Sequence, residues 1–150
     1  MLRKIILIIF LLAGFVFSTP VSTTYSTLDY SLQNTTTKAG DSNLVAFHLS
    51  HLDQWHSYWK NPGESGLKTK ITWHLPDLIS ASDIIWPAPE VFMLGPLVNY
   101  GYSDKVSLLV KLSTSPLIKP GSYPIKAKLD WLVCKDSCIP ESAEIYFDFI

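Results

Sequence analysis

From Tyr25 onward apolar and polar residues alternate in short runs, and no stretch sustains a 3.6-residue period over a dozen positions. The alternation predicts strands over residues 25–32, 43–52, 55–60, 69–75, 105–112, 123–133 and 143–149. Period two assigns the inward faces: Val45, Phe47 and Leu49; Ile71 and Trp73; Val106, Leu108, Val110 and Leu112; Tyr123, Ile125, Ala127, Leu129, Trp131 and Val133; Ala143, Ile145, Phe147 and Phe149. Turn chemistry separates the runs, with Gly40-Asp41 at the tip of residues 33–42, Asn61-Pro62-Gly63 ending the third, and residues 116–121 before the longest.

The middle is less regular. Trp86-Pro87-Ala88-Pro89-Glu90 fits neither a helix nor an inner strand, because proline lacks the donor and fixes its own φ. Residues 91–102, Val-Phe-Met-Leu-Gly-Pro-Leu-Val-Asn-Tyr-Gly-Tyr, read as an ordered loop of high apolar content. Seven or eight short strands, with ten prolines between and around them, predict an all-β antiparallel sandwich, and a barrel is the alternative.

The first eighteen residues belong to a different class. Arg3 and Lys4 precede an uncharged apolar run from Ile5 to Phe17, shorter than the roughly 20 residues of a bilayer span. Residues 1–18 therefore read as a secretory signal peptide cut after Ser18, with an uncleaved anchor as the alternative. Residues 19–26, rich in Ser, Thr and Pro, read as a flexible lead-in, and 27–150 as one domain large enough to bury a core. A net charge of −1 with dispersed lysines gives no footprint for nucleic acid. No cofactor motif stands out.

Export changes the meaning of the two cysteines, Cys134 and Cys138, because outside the cytosol a nearby pair can exist as a disulfide. Period two puts Cys134 on the polar face of its strand, opposite Trp131 and Val133, where a partner reaches it. Four extended residues span roughly 13 Å, against about 4.4–6.8 Å between bridged Cα atoms, so the chain must turn through Lys135-Asp136-Ser137. Pro140 is expected to delay the next strand. Three roles are open to the pair. A structural staple closing so small a loop contributes only ~2 kcal/mol, against ~4–5 for a loop of about a hundred residues. Small-ring disulfides are more readily exchanged, which favours a redox role. A Cu(I) or Zn site drawing on His48, His51 or His56 is the third, although His48 and His51 have opposite strand parity.

Four motifs in order resemble one family. They are Trp55-His56-Ser57-Tyr58-Trp59-Lys60-Asn61-Pro62-Gly63-Glu64-Ser65-Gly66, Trp86-Pro87-Ala88-Pro89-Glu90, Leu97-Val98-Asn99-Tyr100-Gly101-Tyr102, and the stretch from Asp130 to Glu141. Together they resemble the N-terminal periplasmic, or disulfide bond corrector, domain of DsbD/ScsB-type thiol:disulfide interchange proteins. The resemblance implies an immunoglobulin-like sandwich without a cofactor, a component of protein-disulfide reduction. Its electrons come from a membrane donor of DsbD type and go to periplasmic thioredoxin-like oxidoreductases, isomerases or cytochrome c maturation factors. It further implies that Cys138 forms the mixed disulfide and Cys134 resolves it, that His56 and Tyr58 lie beside the pair, and that a cap loop containing Phe92, Leu97, Asn99 and Tyr100 shields it. Best-known members separate the cysteines by five residues, while here it is three, as in the ScsB-like branch. The competing class is a non-catalytic binding module with an inert disulfide. Nothing follows Ile150 in this sequence, so the domain is expected either to stand alone or to be part of a longer membrane protein.

Overall fold

The computed structural model describes residues 19–149; the expected signal peptide, residues 1–18, lies outside them. Eleven strands follow one another among the described residues: β1 (Val21–Ser22), β2 (Ser26–Leu32), β3 (Ser42–His51), β4 (His56–Gly63), β5 (Lys70–His74), β6 (Ile79–Ala81), β7 (Glu90–Leu94), β8 (Leu97–Ser103), β9 (Lys105–Thr114), β10 (Tyr123–Cys134) and β11 (Cys138–Phe149). They form two antiparallel sheets, ordered β1-β2-β3-β9-β6 and β11-β10-β4-β8-β7, with β5 also paired to β10. The apolar alternation explains why they close face to face. Leu28, Val45, Phe47, Leu49, Val106, Leu108, Val110 and Leu112 of the first sheet are buried against Ile125, Ala127, Leu129, Trp131, Val133, Ala143, Ile145, Phe147 and Phe149 of the second. Each side chain of this size contributes about 1.5–3 kcal/mol on burial, so the paired faces supply the main driving force.

Several expectations need correction. Residues 19–26 are not a free lead-in: Val21 and Ser22 pair with Leu28 and Thr27, and Tyr25 stacks on Trp55 at 3.8 Å. Residues 91–102 form not a loop but the hairpin β7–β8, turning through Gly95 and Pro96, because Val91 to Leu94 and Leu97 to Tyr100 pair residue for residue. Strand β4 does not stop at Lys60. It runs on to Gly63 with a slip, covering five residue steps from Tyr58 to Gly63 against two from Gly101 to Asn99, so the Asn-Pro-Gly signal produces a bulge rather than an end. The short β6 was not anticipated. Pro140 does not delay β11, which begins at Cys138; β11 is a sheet edge, where proline has no ladder partner to miss.

Candidate functional site

The longest ladder among the described residues, β10 with β11, ends at the register pair Cys134 and Cys138. Lys135, Asp136 and Ser137 make the turn, closed by the Lys135 amide donating to the Ser137 carbonyl at 3.2 Å. A cross-strand position brings the two Cα atoms to 4.1 Å, and the sulfurs are joined as a disulfide. The fold-back required by the extended span is therefore present.

Exposure divides the pair. Cys138 is exposed, whereas Cys134 is 0 % exposed. Cys134 does lie on the outer face, opposite the inward Val133, but that face is covered there, so the expected accessibility belongs to Cys138 alone. On the side of Cys134 away from Cys138 its register partner is His56, the first residue of β4, and His56 in turn faces Ser103 of β8. One row of the sheet thus reads Cys138, Cys134, His56, Ser103. Tyr58, two residues along β4, shares the face, and its hydroxyl lies 3.7 Å from Cys138 Sγ. The hairpin reaches His56 in this row. Phe92 lies flat on the His56 ring, with centroids 4.6 Å apart and planes 13° from parallel, while Tyr58 meets the same ring edge-on at 5.3 Å. Gly101, the register neighbour of Tyr58 and Glu90, admits the close approach of β4: a Cβ there would fall 2.0 Å from the Ser57 carbonyl oxygen.

The remaining cap candidates do other things. Asn99 is fully buried and its Oδ1 accepts from the Ser65 amide at 2.9 Å and the Ser65 hydroxyl at 2.8 Å, pinning the segment just after β4 to β8. Leu97 is exposed at the hairpin turn. Tyr100 sits on the opposite face of the hairpin, edge-on to Trp59. Gly66 allows the Tyr58 placement: its φ is +88°, and a Cβ there would fall 2.3 Å from the Tyr58 ring.

Burial sets the protonation of the neighbours. It pushes the His56 imidazole below the ordinary histidine range and the Tyr58 phenol above the ordinary tyrosine range, the latter opposed by Ser65. Both are uncharged at neutral pH. His51 is lowered to about 4, mainly by burial, with His56 also disfavouring its charge. The histidines do not converge as ligands: His48 bonds to the Ser31 and Ser107 hydroxyls, and His51 to the Asp104 carbonyl. Among the described residues no three His, Cys, Asp or Glu side chains are grouped to hold a metal ion. A cleft of about 1050 Å³ lined by Lys60, Trp73, Trp86 and Trp131 has neither cysteine in its wall.

One residue escaped sequence reasoning. Glu141 is 8 % exposed, its Oε1 accepting from the Tyr25 amide at 2.7 Å and its Oε2 from the hydroxyls of Thr23, at 2.7 Å, and Ser26. It ties the segment before β2 to the cysteine hairpin. The signal was there: Glu141 has the parity of Ala143, Ile145 and Phe147, and a carboxylate on an apolar face needs partners.

A family model described as thiol:disulfide interchange protein DsbD, N-terminal, matches residues 29–149. The chain belongs to that family. Its fold is the immunoglobulin-like sandwich of DsbD N-terminal domains, similar to the N-terminal periplasmic domain of ScsB from Proteus mirabilis, with a TM-score of 0.68 at 19 % identity over 86 % of this chain. The chain spans about half of that structure, 49 %. A yeast GGA1 GAE domain superposes with a TM-score of only 0.43 at 12 % identity, over 86 % of this chain and 96 % of that one, and carries no argument. No curated protein matches. Among the described residues of this DsbD N-terminal domain, no helix is long and apolar enough to cross a membrane.

Proposed function

We propose that this DsbD N-terminal domain is an exported, periplasmic electron relay that reduces the disulfides of thioredoxin-like oxidoreductases or isomerases, in support of disulfide isomerisation and cytochrome c maturation. The supporting observation is the asymmetry of the pair, one sulfur exposed and one sealed. In the reduced domain the Cys138 thiolate attacks a partner disulfide, and the partner's first sulfur leaves as a thiolate. Cys134 then attacks Cys138 Sγ, the mixed disulfide breaks, and the partner's second sulfur leaves. The partner gains two electrons and two protons, and the domain is left with the Cys134–Cys138 disulfide. A dithiol donor of DsbD type recharges it by the reverse sequence, its thiolate attacking Cys138. His56 and Tyr58 line the pair, and Phe92 is the covering side chain of the hairpin.

The test is mixed-disulfide trapping in cells. Cys134→Ser removes the resolving sulfur and accumulates partner adducts through Cys138, while Cys138→Ser accumulates none. The reverse pattern exchanges the two roles. A wild-type pair that stays oxidised whether or not a membrane donor is present sinks the relay and leaves a staple.

A further inference from the structure

The Cys134 side of the exchange has a problem that the fold itself poses. A sulfur must be a thiolate to attack, and burial raises a thiol's pKa. Cys134 is wholly buried, so solvent cannot carry its proton away. A group on the protein has to receive it.

One side chain meets the requirement. His56 is the register partner of Cys134 across the β4–β10 ladder, so both side chains project from one face with Cα atoms about 4.5–5.5 Å apart. The ring is itself buried, 5 % exposed, and its Nε2 has no hydrogen-bond partner. A buried nitrogen without a partner is costly and rare, and one of the recognised reasons for keeping it is chemistry. Phe92 and Tyr58 box the ring from its face and its edge, fixing its orientation on the face it shares with Cys134.

The other ionisable groups around the ring are poorer acceptors. The Tyr58 phenol is protonated and lies against Cys138 rather than Cys134. His51 is turned to the Asp104 carbonyl. The Glu90 carboxylate, on β7, accepts a 2.6 Å bond from the Ser103 hydroxyl one strand beyond His56. Lys135 offers donors and no acceptor, and Asp136 is exposed in the turn. Phe92, from the hairpin, brings no charge.

We propose that His56 is the general base of the resolving step, taking the Cys134 proton as Cys134 attacks the mixed disulfide on Cys138. This rests on the relay reading above. The S–H bond of Cys134 breaks toward His56 Nε2, the new Cys134–Cys138 bond forms, and the partner sulfur departs with the electron pair of the broken disulfide. The imidazolium, disfavoured in its buried box, then releases its proton to the departing thiolate. On recharging, the proton lost by the donor's attacking thiol passes through His56 to Cys134 as that sulfur leaves. Burial, which holds the imidazole neutral at neutral pH, keeps its lone pair available for the first of these transfers.

The two sulfur steps separate in a stopped-flow reaction of the reduced domain with dithiobis-nitrobenzoate. Attack by Cys138 releases one nitrothiobenzoate, and resolution by Cys134 releases the second. His56→Gln should leave the first release near the wild-type rate and slow the second by roughly a hundredfold at neutral pH, the lower end of general-base effects. The deficit should shrink as pH rises and Cys134 ionises unaided. His56→Phe, which preserves a ring against Phe92, should behave like His56→Gln, and a normal first release in either variant reports an intact site. A second release at the wild-type rate overturns the proposal, as does one slowed equally at every pH, because that is the mark of a purely structural residue. A wild-type domain that releases nitrothiobenzoate from neither sulfur overturns the relay reading and this one together.

Discussion

The two sheets are built to different rules. In the first, β3 pairs with β9 over nine consecutive positions and with β2 over seven, with no break in register. In the second, β4 meets β10 at a single pair, Cys134 with His56, and slips against β8 beyond Tyr58. The buried polar atoms follow the same division. Of those without a partner among the described residues, His56 Nε2, Ser57 Oγ and Trp59 Nε1 lie on β4, and the fourth, His51 Nε2, lies at the end of β3 beside it. Each such group costs about 1–3 kcal/mol. The first sheet spends its geometry on packing. The cysteine end of the second gives up ladder bonds and satisfied polar atoms to hold particular side chains around a disulfide.

The hardest test of that division is a large loss in the first sheet. Phe47 is 0 % exposed and meets the Trp73 ring at 5.7 Å across the core. Phe47→Ala should cost about 3–5 kcal/mol, read from the denaturant midpoint. If the division holds, the reduction rate of the still-folded variant by a small dithiol stays that of wild type. A changed rate would mean that core packing sets sulfur reactivity and that the two regions are one unit.

A smaller effect comes from the junction between them. His51 has a folded pKa of about 4 against 6.5 unperturbed, because burial disfavours its charge. The unfolded chain therefore binds a proton that the folded chain refuses. Stability is complete above pH 6.5 and falls as pH drops from about 6.5 to 4, by about 1–3 kcal/mol from this group. His51→Asn should flatten the upper part of that slope, where few carboxylates titrate. An unchanged slope in the variant would remove His51 from the account.

How much of this was legible beforehand follows the same line. The paired faces of β3, β9, β10 and β11 were predicted residue by residue, because one buried face makes a strict two-residue alternation unavoidable. The hairpin was missed because Val91, Met93, Val98 and Tyr100 project away from the covered side and stay exposed or half-buried, so nothing forces apolar and polar residues to alternate there. Cys134 was placed on the correct face with the wrong exposure. Parity reads one strand at a time, and the register partner of Cys134, His56, comes from β4. The Phe92–His56 stack lay beyond the same horizon, since the two residues are joined only through the β4–β8–β7 pairing.

The smallest expected change in stability is also the most pointed. Phe92 lies at the outer strand of the second sheet, half-buried, with its ring stacked on His56. An aromatic pair of this kind contributes about 0.5–1.5 kcal/mol, so Phe92→Ala should lower the denaturant midpoint only slightly. Its effect on sulfur chemistry should be larger. Without the ring, the outer face above Cys134 and His56 opens to small thiols, and reduction of the disulfide by dithiothreitol should accelerate several-fold. Reduction by a protein donor should accelerate less, because such a partner displaces the hairpin when it docks. The reverse result, lower stability with unchanged dithiothreitol kinetics, would make Phe92 ordinary packing. It would return the division between the two sheets to a difference in strand geometry alone.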